Sequence, residues 1–445
     1  MTTRDANGID PAGPSGRLLH KGDLAHNPAP QAIATDTKND RIFVLQVEST
    51  TDKRLGHLIL NRFDRTTGKR LDHMRLIGFG HGLSLGAEAD GTDTYLWTEC
   101  GPLHIVDADD PARAFAVGTT ATRFKYDPVN TPVLDAETAV LPRFTPAVGN
   151  TATGPSYDPT VAAPTVTVMH IEGEERHFTR YDGASAKAGT WNRSGERVTL
   201  PRTQPHATVA PSLPQTPALA KNLSFQGFQT IGDVLYVYQW AKFAVGTNPG
   251  HTLLRRFSWT TGLPIDAEPV LVTAAPGLVH REPEGLSAEI DPATGKRRLL
   301  FGFSNTIPGE KYERDVTICW FPAEEPVEGV QVLGDWEELA LAGGLTAAGE
   351  APRVRLVAVA DTTYLQFRGS FSVSPGATKE FRLATLPHRL RPTVPFRHNA
   401  PRNNNSGRAI CSIETTVTGE LWVYGATADN AITWVDLNSV SGAWR

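Results

Sequence analysis

The sequence contains few of the residues that carry redox and metal chemistry. Its 445 residues include 3 cysteines, Cys100, Cys319 and Cys411, which lie far apart and lack the spacing of metal ligands. We expect them to be buried free thiols, because an isolated cysteine behaves as a small apolar residue. The sequence therefore predicts no cysteine metal centre, and no motif in it indicates a cofactor.

Long apolar runs and dense basic clusters are also missing. Residues 1–22 are polar and hold no stretch long enough for a signal peptide or a membrane span. The formal net charge of −5 is spread without a Lys/Arg stripe, and no glycine-rich phosphate loop joins a strand to a helix. We therefore expect no membrane or nucleic-acid partner, and a protein made in the cytoplasm without a signal peptide. No heptads predict a coiled coil, so any oligomer must form through sheet surfaces.

What the chain does contain is a recurring β-hairpin pattern. In the stretch Gly78–Glu99, a glycine-rich entry is followed by a short strand, an Asp-Gly turn at Asp90 and a second strand rich in β-branched and aromatic residues. Similar units begin near residues 31, 82, 166, 226 and 284, and the inner strands are expected to start from Gln31, Gly82, Gln226 and Glu284. Five units of up to four strands predict a five-bladed β-propeller, in which neighbouring blades cover each other's faces and protect the sheet edges.

Internal similarity supports the repeat directly. Six residues that follow the fourth unit's first hairpin stand at the same relative positions as six residues in the first unit. They are His251, Arg256, Phe257, Thr260, Thr261 and Gly262, which match His57, Arg62, Phe63, Thr66, Thr67 and Gly68. We interpret the two histidines as a sign of repetition rather than of chemistry. The pattern weakens between residues 108 and 220, where long surface loops are expected.

The Gly78-Phe79-Gly80-His81-Gly82 run, the Tyr95–Glu99 strand, the Asp40–Val44 strand and the Glu282–Leu286 segment resemble the β-propeller of phage receptor-binding proteins. Close relatives in Gram-positive bacteria carry the label teichoic acid biosynthesis protein C. The resemblance covers roughly residues 22–321, and residues 109–221 depart most from it. It implies a five-bladed, homotrimeric propeller at the tail tip that recognises glycosylated wall polymers, with no biosynthetic activity.

The composition shifts after Pro322, where a segment rich in charge, proline and glycine reads as a linker. About seven short alternating strands follow and predict an antiparallel β-sandwich. The Trp336-x-x-Leu339-x-Leu341 segment and the closing Trp434–Leu437 strand resemble the C-terminal head domain of phage tail-tip proteins. The expected organisation is an arm with little structure of its own over residues 1–27, for attachment or disordered, a propeller over 28–322, a linker over 323–334 and a head over 335–445.

Aromatic and polar residues near the ends of the propeller strands are candidate site residues, since sugars are bound by aromatic faces beside a few polar groups. The residues selected as ligand-binding are His81, Trp97, Glu99, Tyr238, Trp240, Glu284 and Phe303. Trp191 and Tyr157 are further aromatic candidates in the loop-rich middle. The alternative for each aromatic residue is packing between blades. For His81 the alternatives are a role as metal ligand or base and a hydrogen bond to the backbone of the next blade.

The sequence favours a binding protein over an enzyme. The prediction is a non-catalytic receptor-binding protein of a phage tail tip, with a host wall glycopolymer and other tail or baseplate proteins as partners. Two alternatives stay open: a host-encoded wall protein, and a propeller hydrolase or lyase that acts on wall polysaccharide through a carboxylate pair. The carboxylates available to such an enzyme are Glu88, Glu99, Glu284 and Glu289.

Overall fold

The computed structural model describes most of the chain in two compact units. The described residues are 5–48, 52–106, 114–216, 219–242, 250–278, 280–306, 314–322, 330–359, 362–392, 394–405, 407–438 and 440–444. Those up to 322 form the first unit and those from 330 onwards form the second. The fold is all-β, as the alternating pattern predicts. The two short described helices, α1 (Gly183–Lys187) and α2 (His206–Val209), are both below the length of a membrane span.

The first unit is a five-bladed β-propeller. Its described strands are β1 (Gly16–Asp23), β2 (Pro30–Asp36), β3 (Arg41–Val47), β4 (Leu58–Asp64), β5 (Arg70–Ile77), β6 (Gly86–Asp90), β7 (Asp93–Val106), β8 (Ala114–Lys125), β9 (Val133–Asp135), β10 (Arg143–Phe144), β11 (Ala152–Asp158), β12 (Thr165–Glu172), β13 (Glu175–Asp182), β14 (Val198–Pro201), β15 (Ser224–Ile231), β16 (Val234–Ala241), β17 (His251–Ser258), β18 (Val270–Leu271), β19 (Glu282–Ile290), β20 (Arg297–Thr306) and β21 (Arg314–Phe321). A 3₁₀ turn, Lys53–Leu55, precedes β4.

These strands form five sheets, which we number as blades in chain order. Blade 1 is β2-β3-β4-β5 with β9 added in parallel, blade 2 is β6-β7-β8-β10, and blade 3 is β11-β12-β13-β14. Blade 4 is β15-β16-β17-β18, and blade 5 is β19-β20-β21-β1. The first strand of each blade contacts the first strand of the next, and β19 contacts β2, so the inner strands form a closed ring.

The inner strands approach one another closely at their first residues. Gly285 has a positive φ of 76°, and a Cβ built on it would lie 2.8 Å from the Cα of Ala32 in the next blade. Gly227 meets Gly285 in the same way, at 3.0 Å. Glycine is required at Gly285 because a side chain would meet backbone atoms that cannot move aside.

The repeat predicted from the sequence is visible as a repeated ion pair. Arg62 Nε donates to Asp72 at 2.9 Å in blade 1, and Arg256 Nε donates to Asp266 at 2.7 Å in blade 4. The prediction of buried free thiols is also confirmed for the three cysteines.

Two expectations about the propeller were wrong. The third blade begins at Ala152 rather than near residue 166, because the predicted hairpin is the pair β12 and β13 and the inner strand is β11. That strand contains Gly154 and Pro155, which are unfavourable in a strand interior but acceptable on an edge such as the inner strand of a blade.

The described part of the expected N-terminal arm, residues 5–27, is not a loose segment. Residues Gly16–Asp23 pair antiparallel with β21 and complete blade 5, and Ile9 is fully buried against blades 4 and 5. Strand β1 covers the edge of β21, whose open hydrogen-bonding groups would otherwise face solvent. Residues 1–4 of the arm lie outside the described residues.

The second unit is a β-sandwich with its own core. Its described strands are β22 (Val330–Glu338), β23 (Leu345–Ala347), β24 (Arg353–Val359), β25 (Thr362–Arg368), β26 (Ser370–Ala377), β27 (Phe381–Thr385), β28 (Phe396–Asn405), β29 (Arg408–Thr415), β30 (Glu420–Tyr424), β31 (Ile432–Asp436) and β32 (Ser441–Trp444). They form a four-stranded sheet, β22-β24-β25-β32, and a seven-stranded sheet, β23-β26-β31-β28-β29-β30-β27. A 3₁₀ turn, His388–Leu390, follows β27. Apolar side chains of the two sheets, Leu356 and Phe371 among them, share one core.

The range predicted for the linker, residues 323–334, extends too far at its C-terminal end. Residues 330–334 belong to β22, which pairs with β24 as an integral strand of the four-stranded sheet. Residues 323–329 lie outside the described residues.

Candidate functional site

The seven residues selected from the sequence lie in separate parts of the propeller. His81, Trp97 and Glu99 belong to blade 2 or the loop that enters it, whereas Tyr238 and Trp240 lie on β16, Glu284 on β19 and Phe303 on β20. All of them except His81 are less than 5% exposed. The structure does not bring them together in one accessible cleft, so their role in ligand binding stays a prediction.

Glu99 organises the glycine-rich loop that the sequence singled out. One oxygen of its carboxylate accepts hydrogen bonds from the backbone N–H groups of His81 and Gly82, the latter at 2.7 Å. A Cβ on Gly80 would lie 2.5 Å from the same oxygen, which explains the glycine at that position. Burial raises the pKa of Glu99 to about 8, although the amide hydrogen bonds oppose this shift. The buried carboxyl of Glu99 therefore holds the loop in its conformation through these hydrogen bonds. The His81 ring, at the loop surface, packs on Phe115 with the ring centroids 5.0 Å apart.

Tyr238 and Phe303 pack between blades 4 and 5. Both are fully buried, and their rings meet edge to face with centroids 6.4 Å apart. The guanidinium of Arg281 lies 4.4 Å from the centre of the Phe303 ring, and the Trp240 ring contacts His280 edge to face at 6.1 Å. These contacts correspond to the alternative of packing between blades.

Two of the four carboxylates of the hydrolase alternative form strong ion pairs. Glu88 accepts hydrogen bonds from Arg123 and Lys187, each at 2.9 Å, and from the Trp97 indole N–H at 3.1 Å. Burial raises the pKa of Glu88, but its bonds to these partners outweigh burial and lower the pKa overall. Glu289 accepts a hydrogen bond from Arg65 at 2.8 Å.

Glu284 has a different environment. It is 4% exposed, and burial, together with the nearby charge of Glu282, raises its pKa well above the ordinary value. A carboxyl with a raised pKa is chemically suited to act as a general acid, but catalysis also requires access to the substrate.

An aromatic cluster fills the space between blades 2 and 3. Trp97 stacks on Tyr157 with centroids 6.4 Å apart and a 5° interplanar angle, and it meets the edge of Trp191 at 6.0 Å. Trp191 in turn stacks on Phe144 at 3.9 Å. Trp97 is buried, whereas Trp191 and Phe144 are half-buried. The structure thus joins three aromatic candidates from the sequence, Trp97, Tyr157 and Trp191, in one cluster.

The conformation of Trp191 is unusual. Its φ is 53°, a left-handed value that is rare for a bulky residue. The preceding helix α1 begins at an N-cap, Asp182, whose side chain accepts the N–H of Ser185 at 2.7 Å, and the carbonyl of Ser185 accepts the N–H of Trp191 at 3.3 Å. Helix and aromatic contacts together hold the strained backbone in place.

The second unit contains a more accessible site on its four-stranded sheet. A cleft of about 240 Å³ is lined by residues of three strands and of the segment that precedes β32. We call it the Trp336 cleft, and its lining residues are Trp336, Gln366, Phe367, Arg368, Asn438, Val440 and Ser441.

Two arginines flank the indole of Trp336. The guanidinium carbon of Arg368 lies 4.4 Å from the ring centre, and that of Arg355 lies 4.5 Å away. Arg355 Nε donates to the side-chain oxygen of Gln366 at 2.9 Å, and Arg368 pairs with the half-exposed Glu350 at 3.0 Å. Arg368 therefore lines the cleft and Arg355 lies beside the same indole, with Glu350 as the carboxylate paired to Arg368. An aromatic ring beside fixed guanidinium groups can bind an anion or an anionic sugar unit.

Strand alternation positions these side chains. Along β25 the buried residues Leu365 and Phe367 point into the sandwich, so Gln366 and Arg368 project from the other face. Gln366 is paired directly with Arg355 of β24 and with Ser441 of β32, which aligns polar residues across three strands. The sequence pattern marks Trp336 only as part of a structural motif and does not single out the two arginines. The alternating polar residues of β24 and β25 indicate a face that points away from the core. Only the pairing of these two strands brings the arginines together.

A solved structure of known function shares the fold over most of the chain. No protein-family model and no curated protein matches the chain. The tail fibre of Staphylococcus aureus phage P68 is similar over 93% of this chain and 96% of its own length, with a TM-score of 0.50 and 13% sequence identity.

Two further solved structures are less similar. The receptor-binding protein of Listeria phage PSA matches 26% of this chain and 67% of its own, with a TM-score of 0.21 and 16% identity. An exo-β-1,3-galactanase from Phanerochaete chrysosporium matches 95% of this chain and 98% of its own, with a TM-score of 0.37 and 10% identity. These two scores are too low to carry an argument. The P68 comparison shows a shared fold, and the structural neighbours include phage tail-fibre and receptor-binding proteins.

Proposed function

We propose that this chain is a non-catalytic receptor-binding protein of a phage tail tip, which attaches the virion to a glycosylated wall polymer of a Gram-positive host. The observation that carries the proposal is the Trp336 cleft, where an indole and two guanidinium groups share one face of the head sheet. The fold shared with a phage tail fibre supports the same assignment.

The chemistry of the cleft indicates the class of receptor. Guanidinium groups bind phosphate and carboxylate oxygens through paired N–H groups, and an aromatic ring packs against the apolar face of a sugar or polyol. A wall polymer built from sugars or polyols joined by phosphates, as in teichoic acids, presents both features in each repeat. We therefore infer that the head binds a negatively charged repeat of such a polymer.

Attachment would depend on several weak sites. One small cleft binds one repeat with modest affinity, whereas linked copies convert later binding events into intramolecular ones. We propose a homotrimer fixed to other tail or baseplate proteins, so that several heads engage one polymer chain.

The competing function is a wall-polysaccharide hydrolase or lyase. The feature in its favour is Glu284, whose raised pKa suits a general acid. Against it, Glu284 is nearly inaccessible, and Glu88 and Glu289 are engaged in ion pairs.

The experiment is a pull-down of the full-length protein on host cell walls, before and after acid extraction of teichoic-type polymers, with released sugars monitored. Retention that is lost on extraction, without sugar release, is the expected result. Sugar release that grows with time and is lost in Glu284→Gln would overturn the proposal in favour of the hydrolase.

A further inference from the structure

Blade 3 carries a cluster of metal-ligating side chains that the receptor-binding function does not use. His170, Glu172 and His177 each offer one ligand atom, and these atoms all lie within 4.8 Å of one another. His170 and His177 are buried at 1% and 7% exposure, whereas Glu172 is exposed. The two histidine side chains are thus buried in the blade, and the cluster is open to solvent on the side of Glu172.

The antiparallel pairing of β12 and β13 creates this arrangement. His170 and His177 are direct partners across the two strands, and their ring centroids are 5.1 Å apart. Glu172 stands two residues after His170, so it projects from the same face of the strand. The three side chains therefore converge because of register, near the turn that joins the strands.

His170 gives an independent indication of a ligand. Neither of its ring nitrogens has a hydrogen-bond partner among the described residues, although the side chain is almost completely buried. An unsatisfied buried polar group is costly, and most buried histidines have a partner. A bound cation would accept a lone pair from one of these nitrogens.

His177 is already oriented for coordination. Its Nδ1 shares a hydrogen bond with the hydroxyl of Thr199 at 2.9 Å, which fixes the ring and directs Nε2 away from Thr199. Metal-bound histidines use their second nitrogen in this way. Glu175, the residue opposite Glu172, has a carboxylate oxygen 3.5 Å from Nε2 and can provide a fourth ligand.

We propose that His170, Glu172 and His177 form a binding site for a divalent transition-metal ion of the zinc class. Two imidazoles with one or two carboxylates are ligands that zinc accepts in four-coordinate geometry, whereas calcium and magnesium require oxygen ligands throughout. The ion would join β12 to β13 at the outer end of their hairpin.

The test is zinc titration of the full-length protein, freed of metal with a chelator, followed by calorimetry at neutral pH. We expect wild type to bind one zinc ion more per chain than His170→Gln. The matched control is His251→Gln, because His251 and His206 form another close pair, at 3.1 Å between nitrogens, without such a carboxylate set among the described residues. Equal zinc uptake by wild type and His170→Gln would overturn the proposal.

Two further variants keep the test decisive if His170→Gln fails to fold. Glu172→Gln changes an exposed side chain and is expected to weaken zinc binding, and Thr199→Val is expected to weaken it about tenfold by releasing the ring of His177. Cobalt(II) provides a second readout, because four-coordinate cobalt absorbs strongly in the visible range. An unchanged zinc affinity in both variants, or no four-coordinate cobalt spectrum in wild type, would also contradict the site.

Discussion

The propeller and the head use similar residues in different ways. In the propeller, Trp97 and Glu99 are buried; the Trp97 indole N–H donates to Glu88 of the neighbouring strand, and one carboxylate oxygen of Glu99 accepts backbone N–H groups of the loop that enters the blade. In the head, Trp336 is half-buried at the edge of a cleft and is flanked by Arg355 and Arg368. A recognisable motif thus indicates architecture in the first unit, whereas in the second unit the more accessible site also depends on two arginines that belong to no recognisable motif.

The largest effect on stability is expected from Trp97→Ala. Trp97 is 1% exposed and packs between Tyr157 and Trp191, so its truncation leaves a cavity between blades 2 and 3. We expect a loss of about 3–5 kcal/mol in the free energy of unfolding of the propeller. Urea denaturation followed by circular dichroism measures the change. A loss no larger than that caused by Trp336→Ala would remove the contrast between the two units.

Trp336→Ala is expected to show the opposite behaviour. Its stability should fall by about 1 kcal/mol or less, because the lost contacts are surface cation–π pairs. Its affinity for host wall polymer should fall by about 2 kcal/mol, or roughly thirtyfold, as for a binding hot spot. Biolayer interferometry on purified polymer measures this affinity.

The matched control for that change is Trp422→Ala. Trp422 is another half-buried tryptophan of the head, on β30 of the seven-stranded sheet, and its indole N–H donates to Glu420 at 3.3 Å. We expect wild-type affinity for this variant. Equal losses in the two variants would mean that the Trp336 cleft is not the binding site.

Glu99→Gln tests the buried carboxyl of the propeller. Because the folded pKa of Glu99 is about 8 and its ordinary value is 4.5, the folded protein holds the proton more tightly between these values. The contribution of Glu99 to the free energy of unfolding therefore falls as pH rises from 4.5 to 8, by up to about 1.4 kcal/mol per pH unit. The glutamine variant should lose less stability than wild type over this range in urea denaturation. Parallel pH profiles would show that Glu99 ionises without cost.

The smallest effect is expected from Asp182→Ala, which removes the N-cap of α1. The variant should lose about 1 kcal/mol of stability, since an unsatisfied N–H remains at Ser185. Wall binding should not change, because Asp182 belongs to the propeller. A loss of binding in this variant would assign a receptor role to the neighbouring Trp191 region.

The sequence was informative where local signals agree. Strands β2 to β5 and β15 to β17 were recognised because alternating apolar residues are bounded by turns such as Thr67-Gly68 and Gly232-Asp233. Strand β11 was missed because Gly154 and Pro155 weaken its pattern, and β1 was missed because its partner, β21, lies about 300 residues away in the sequence. Pairing at that separation leaves no local pattern.

The candidate site was predictable only in part. The selection of Trp97, Tyr157 and Trp191 identified residues that do meet, but their cluster is mostly interior. Arg355 and Arg368 could not be selected, because each is an ordinary outward residue of a strand until β24 and β25 pair. The proposed metal site was likewise hidden in the sequence, since only the register of β12 and β13 brings His170 and His177 together.

The most direct test of the central claim is the affinity of the double variant Arg355→Gln/Arg368→Gln for purified wall polymer, compared with that of wild type at equal salt. If the Trp336 cleft binds an anionic polymer, the double variant loses at least about tenfold in affinity, since each lost charge-assisted hydrogen bond contributes about 1.5–3 kcal/mol. Wild-type affinity in the folded double variant would contradict the proposed receptor site.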